Sequence, residues 1–173
     1  LPQVASAAEN QKIIAVTFDD GPSKYTGNLL TELAQRQVVV TFFMQGRNAE
    51  RYPDIVQKAY ESGHQIASHT YNHPYLPKLT NEELQSQLNR TISIFNKAIG
   101  TDNSYMLRPP YGSYNAQVLA QIGTPAILWS VDTRDWQSRN ADSVYQSIVK
   151  NSRDGSIILM HDLYPSTITG ALR

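Results

Sequence analysis

Short apolar runs alternate with longer amphipathic stretches along nearly the whole chain. Residues 13–18 form a continuous apolar run of strand length, stopped by Asp19-Asp20-Gly21-Pro22. Residues 28–36 place Leu29, Leu30, Leu33 and Ala34 on one helical face. Residues 38–44 are β-branched and aromatic and predict a second strand. Residues 53–62 predict a helix, with Pro53 in its first turn and Gly63 as its stop. Residues 65–68 predict a short strand. Thr80 and Glu83 have the spacing of a capping box. It opens a long helix carrying Leu84, Leu88, Ile92 and Phe95 and ending at Gly100. Beyond it the pattern predicts a strand at 105–108, stopped by Pro109-Pro110, and a helix at 115–121. A strand at 125–131, a helix at 141–151 and a last strand at 156–160 complete the series.

Strands and helices alternate, with no hairpin signal. That order belongs to a parallel sheet covered by helices, an α/β fold. Periodicity alone leaves open whether the sheet closes into a barrel. The small, polar residues 1–11 predict a tail or linker ahead of one domain at 12–173. In parallel α/β folds chemistry gathers at the C-terminal ends of strands. Here those ends are Asp19-Asp20, Met44-Gln45, Ser68-His69, Arg108-Pro109, Asp132 and His161.

Composition narrows the function. With 15 basic and 15 acidic residues the net charge is zero, which argues against nucleic acid or an anionic membrane as partner. Charged residues make up only 17% of the chain and Tyr numbers 10, which suits a surface facing a neutral polymer such as a glycan, although Tyr is equally ordinary core material. Cysteine is absent, which removes disulfides, thiolate nucleophiles and Cys-ligated metals together. No apolar run approaches the ~18 residues of a membrane span. Ala5-Ser6-Ala7-Ala8 has the small-residue character of a signal-peptidase region, and an ordinary linker reads the same way.

Three of the four histidines sit at strand ends. His69 and His73, four apart, converge on one ligand if their segment makes a helical turn. A carboxylate from another strand end adds a third donor and leaves open positions. The alternative is that both histidines only bond a loop. Asp19 and Asp20 are adjacent carboxylates, and consecutive strand residues point in different directions. One can bind metal while the other takes a proton; the alternative is a turn ahead of Gly21-Pro22. Arg108 ends a buried strand and needs an anion, for which Asp19 is the candidate. Pro109-Pro110 set a rigid turn that can leave the Tyr111 N–H free to donate; the alternative is a plain turn.

These residues lie in five ordered segments. They are Thr17-Phe18-Asp19-Asp20-Gly21, His69-Thr70-Tyr71-Asn72-His73, Arg108-Pro109-Pro110-Tyr111, Asp132-Thr133-Arg134-Asp135-Trp136 and Leu159-Met160-His161. Together they resemble the motifs of the polysaccharide deacetylases, carbohydrate esterase family four or NodB homology domain. The resemblance runs from about Lys12 to Asp162. It implies a distorted (β/α) barrel and a metal-dependent hydrolase of acetyl groups on glycans. It implies that Asp20, His69 and His73 bind the metal, commonly zinc and in some members cobalt or nickel. Asp19 is then the general base and His161 the general acid. Arg108 orients Asp19, Asp135 supports His161, and the Tyr111 N–H joins the oxyanion site. Trp136 and Leu159 line the acetyl pocket. Family domains usually continue past the last motif with a helix and a closing strand, whereas eleven residues follow Asp162. The expectation is therefore a barrel lacking those two elements.

The favoured activity is N-deacetylation of N-acetylglucosamine units in peptidoglycan or chitin by a secreted or cell-surface monomer. An acetylxylan esterase would use the same site on O-acetyl esters. A catalytically inactive carbohydrate-binding domain would have no need of both Asp19 and His161. A non-haem iron oxygenase shares the ligand set but uses neither of those residues and does not suit the parallel α/β pattern.

Overall fold

A computed structural model describes residues 12–173; the predicted tail at 1–11 lies outside them. Five strands, β1 (Ala15–Asp19), β2 (Thr41–Met44), β3 (Gln65–Ser68), β4 (Val131–Asp132) and β5 (Ile157–His161), form one parallel sheet. Its order is β3-β2-β1-β5-β4. The helices are α1 (Thr26–Gln35), α2 (Gly46–Arg51), α3 (Pro53–Glu61), α4 (Asn81–Ile99), α5 (Ala116–Ile122), α6 (Asp135–Ser138), α7 (Ala141–Asn151) and α8 (Pro165–Ala171).

Strand alternation sorts the side chains. Phe18, Phe42, Met44, Ile66, Ile158 and Met160 join the main core with Leu29, Leu30 and Leu33 of α1, Val56 of α3 and Phe95 of α4. Thr17, Asp19, Phe43, Leu159 and His161 occupy the other face. The register sets Asp19 opposite His161 and Thr17 opposite Leu159. The α4 start follows the capping box as expected. Glu83 N–H donates to Thr80 Oγ1 at 3.2 Å and Thr80 N–H to Glu83 Oε2 at 2.9 Å. Gly100, at φ +72°, ends the helix in the left-handed region.

Several predicted boundaries move. Ile13, Ile14, Val38 and Val39 precede their strands and are exposed. Their β propensity is real, but a ladder begins only where a neighbour is present. The predicted strand at 105–108 is reduced to Leu107, which bridges Ser68 on one side and Ala126 on the other. The predicted strand at 125–131 survives only as that bridge and β4. The reason is visible in Arg108, whose Nε and Nη2 donate to the Ile127 and Leu128 carbonyls. A side chain thus takes acceptors that a ladder would use. The result is a distorted (β/α) barrel whose five-stranded sheet is not closed by a continuous ladder. The residues after Asp162 correct one expectation. They form α8, packed on α7, so the helix is present, and no strand follows it among the described residues.

Candidate active site

The end of β1 presents two carboxylates in different surroundings. Asp19 is buried on the inner face. Asp20 has φ +74°, which swings its side chain away from the line of the strand. Its N–H donates to Phe43 O at 3.1 Å, its carbonyl accepts from Asn48 Nδ2 at 2.7 Å, and its Oδ1 accepts from Gln45 Nε2 at 2.6 Å. All three partners come from the β2–α2 segment, and its side-chain donors Gln45 and Asn48 lie at the start of α2, unseen in the hydrophobic pattern.

Arg108 is completely buried, as the sequence requires of an arginine with a partner. Its Nη1 donates to Asp19 Oδ1 at 2.6 Å and to Thr17 Oγ1 at 2.7 Å. Its guanidinium plane lies 3.9 Å from the Phe43 ring centre. Burial pushes the Asp19 carboxyl above the usual range, and the nearby His69 and Arg108 only partly pull it back. A carboxylate of raised pKa, oriented by a fixed cation, is suited to accept a proton.

The segment from His69 to His73 is not the helical turn that the spacing suggests. It is a loop with Thr70 at φ +67° and His73 at φ +63°. The two imidazoles converge nonetheless, their ring centres 4.8 Å apart. His69 Nδ1 lies 2.7 Å from Arg108 O, and a carbonyl can only accept, so Nδ1 carries the proton. Its Nε2 lies 3.6 Å from Asp20 Oδ1 and 3.7 Å from Asp19 Oδ2. His73 Nε2 is 3.7 Å from Asp20 Oδ1. Burial and then the neighbouring His69 hold the His73 pKa down at about 4, so its ring is neutral at pH 7. Burial opposes ionisation of Asp20, but His69, His161, His73 and the Gln45 hydrogen bond together lower its pKa.

One donor atom from each of Asp20, His69 and His73 falls within 4.8 Å of the other two. Separations of 3.6–3.7 Å are too long for hydrogen bonds. They are close to those of atoms sharing one ion at about 2.0–2.2 Å. Two imidazole nitrogens and a carboxylate oxygen fit a divalent metal, and the bond from His69 Nδ1 is the kind of support such ligands have.

Opposite them, at the end of β5, His161 Nδ1 lies 2.8 Å from Asp135 Oδ1, and its Nε2 is 4.0 Å from Asp20 Oδ2. Asp135 is fully buried and fully bonded. It also accepts from Trp136 N–H, from His161 N–H and, at 2.8 Å, from Thr167 Oγ1 of α8. Burial disfavours the charged imidazolium. The hydrogen bond and charge of Asp135, with Asp20 and Asp19, outweigh it and raise the His161 pKa to about 9.

The remaining expected residues line the rim. Tyr111 sits at φ +60° and is 64% exposed, its ring centre 4.5 Å from that of His73. Its N–H has no acceptor among the described residues. Trp136 is half exposed, and Leu159 is buried on the inner face beside β4. The sequence assigned no role to Gln45, Asn48, Asp162 or Thr167. Their partners lie between 25 and 139 positions away, and no local spacing reveals such pairs.

Asp162 is completely buried, and its Oδ2 accepts from Thr26 Oγ1 at 2.5 Å. Its carboxyl fills the space beside Gly21, where any Cβ would collide with it. Burial raises its pKa to about 7. The native state therefore holds an extra proton between about 4 and 7, and stability from this group falls as pH rises through that window. His73, with its lowered pKa, works in the opposite sense. The difference in Tm between wild type and Asp162→Asn isolates the Asp162 contribution. Asp162→Asn is expected to gain relative stability steadily from pH 4 to 7, and a pH-independent difference would contradict it.

A buried carboxylate, a two-imidazole and carboxylate cluster, and a carboxylate-supported imidazole thus share one end of the barrel. A family model described as polysaccharide deacetylase matches residues 6–126. The chain belongs to that family. It is 41% identical over 171 residues to the peptidoglycan-N-acetylglucosamine deacetylase PgdA of Listeria monocytogenes, covering 96% of this chain and 36% of that protein. The chain thus spans about a third of the length of that relative. It is 36% identical over 169 residues to a chitooligosaccharide deacetylase of Azorhizobium caulinodans, covering 95% of this chain and 80% of that protein. The structure of peptidoglycan deacetylase PdaC from Bacillus subtilis superposes with a TM-score of 0.91 at 34% identity, covering 96% of this chain and 82% of that one.

Proposed function

We propose that this domain is a metal-dependent deacetylase of N-acetylhexosamine units in a cell-wall glycan, with peptidoglycan as the favoured substrate and chitin oligomers next. The observation that carries the reading is the Asp20, His69 and His73 cluster set between a buried Asp19 and the His161–Asp135 pair. Relatives named for peptidoglycan and chitooligosaccharides favour N-acetyl glycans over acetylated xylan. Action on a cell-wall glycan would call for an enzyme outside the cell, secreted or at the surface, and that is part of the proposal.

Asp20, His69 and His73 would hold the metal, and a nitrogen and oxygen donor set suits zinc, with cobalt and nickel as alternatives. The bound ion would supply acidified water and a polarised acetyl carbonyl. Asp19 then takes the proton of the attacking water on Oδ2, while Arg108 holds Oδ1 and fixes the carboxylate plane. The Tyr111 N–H donates to the developing oxyanion, a contact worth about 3–4 kcal/mol by analogy with other such donors. His161 Nε2 gives its proton to the departing nitrogen, and Asp135 holds the Nδ1–H that keeps the ring oriented.

Acetate release from peptidoglycan, chitin oligomers and acetylated xylan tests this reading. Release from one of the first two and not from xylan is expected. Release from xylan alone would replace it with the esterase, and release from none would leave a binding domain.

The proton inventory sets the pH profile. Asp19 must be ionised, so activity rises with pH through its raised pKa. His161 must be protonated, so activity falls as pH passes about 9. His161→Ala is expected to slow N-acetyl hydrolysis by about 10²–10⁴-fold. Hydrolysis of aryl acetates, whose leaving group departs without a proton, should suffer far less. An unchanged ratio of the two rates in a folded variant would remove His161 from the acid role.

A further inference from the structure

Between the two histidines of the metal cluster the backbone is held by main-chain donors of α2, by hydroxyls of Ser68 and Thr70, and by one side chain of α4. Thr70 and His73 both hold positive φ, a conformation that residues with a Cβ keep only when their surroundings enforce it. The carbonyl side of this loop is held by the start of α2, where Gly46 and Arg47 N–H donate to Thr70 O and Tyr71 O, each at 2.9 Å. Only glycine fits at position 46, since a Cβ there would lie 2.7 Å from Thr91 Oγ1 and 3.0 Å from the Tyr71 ring. On the N–H side, Thr70 donates to Ser68 Oγ at 3.2 Å and His73 to Thr70 Oγ1 at 3.1 Å, and the two N–H groups between them are held from α4. Gln87 Oε1 accepts from Tyr71 N–H at 3.0 Å and from Asn72 N–H at 3.2 Å. Two donors facing one side-chain atom require that atom to be the amide oxygen.

One helical turn further on, the Arg90 guanidinium lies 3.6 Å from the centre of the Tyr71 ring. Tyr71 OH and Arg90 Nη2 both donate to Glu50 Oε2 of α2, at 3.0 and 3.3 Å. This outer latch is exposed, and exposed ion pairs contribute little. Gln87 is half-buried and joined to backbone, so it carries the larger share.

We propose that Gln87 is a positioning residue for metal binding, its Oε1 clamping the Tyr71 and Asn72 N–H groups so that His69 and His73 present their Nε2 atoms to one ion. The inference rests on the reading that Asp20, His69 and His73 hold a metal. The freed loop would sample conformations in which His73 points elsewhere. Affinity falls by the fraction of time that the competent conformation is lost.

The test measures zinc affinity of the full chain by competition with a chromophoric chelator, and the cobalt(II) absorption spectrum, alongside Tm without metal. Gln87→Leu is expected to weaken zinc binding about tenfold or more, the range found when groups orienting metal ligands are removed. Its cobalt spectrum should change. Gln87→Glu keeps an acceptor at the same reach and should restore both. Gln85→Leu cuts a bond of α4 to Gln121 away from the loop and should leave zinc affinity unchanged. If Gln87→Leu does not fold, Gln87→Met, closer in shape, takes its place. Wild-type affinity in a folded Gln87→Leu or Gln87→Met variant overturns the proposal alone. Equal loss in Gln85→Leu also overturns it, by reducing the effect to helix stability. A wild-type protein that binds no zinc or cobalt overturns the metal-site reading itself.

Discussion

Asp19→Asn is expected to keep the metal site and lower the rate of acetyl release by about 10²-fold or more. The amide retains an oxygen for the Arg108 guanidinium. It replaces the free carboxylate oxygen with a group that cannot accept the water proton. The variant also leaves the buried Arg108 without its counter-charge, and breaking a buried pair typically costs about 3–5 kcal/mol. Circular dichroism must therefore show a folded protein before rates are compared. Metal content separates base from ligand. A folded, metal-loaded and nearly inactive variant supports the base role. A folded variant that has lost its metal would mean that Asp19 and Asp20 exchange roles. The geometry argues against that exchange, because Asp20 Oδ1 is within 3.7 Å of both imidazoles whereas Asp19 is held by arginine.

His69→Ala is expected to abolish stoichiometric metal binding and, with it, activity. His69 is almost fully buried, and its bond to Arg108 O ties it to the residue that orients Asp19. Removing it deletes one of three donors and leaves a buried carbonyl without its partner. The remaining His73 and Asp20 cannot reproduce the pocket, because two donors, both partly exposed, replace a set of three that included a buried one. Metal per chain after dialysis is the measurement. Full occupancy in folded His69→Ala would sink the ligand assignment. A wild-type protein stripped by chelator should lose activity and regain it on adding zinc.

The legibility of this chain followed the range of the interactions involved. The Thr80 and Glu83 capping box closes over four residues, and it forms as read. Apolar runs on both sides of β1, β2 and β5 reflect burial on two faces, which any parallel sheet demands. Polar residues interrupt the apolar pattern where the strand-like runs end, so Asp19, Asp20, His69, Arg108 and His161 stood out. Boundaries were less legible, because a strand ends where its neighbour ends. The stretches at 105–108 and 125–131 have strand composition, yet the Arg108 side chain takes two of their carbonyls. Nothing in the spacing of His69 and His73 distinguishes a helical turn from the positive-φ loop that brings them together. The short helices α2 and α8 carry too little periodicity to be seen, although α2 holds Asp20 and α8 supplies Thr167 to Asp135.

The sequence by itself determined the parallel α/β class, the family motifs and the side chains that stand at the strand ends, because burial, capping and alternation act over a few residues. The tertiary structure decided how those side chains are aimed and charged. Asp19 faces Arg108 and Asp20 faces two imidazoles only because β1, the β2–α2 segment and the His69 loop meet at one end of the barrel. The raised pKa of His161 and the lowered pKa of His73 come from opposite balances of burial and neighbouring charge across that gap. Such balances depend on distances of a few ångströms between residues tens of positions apart, and no reading along the chain contains them.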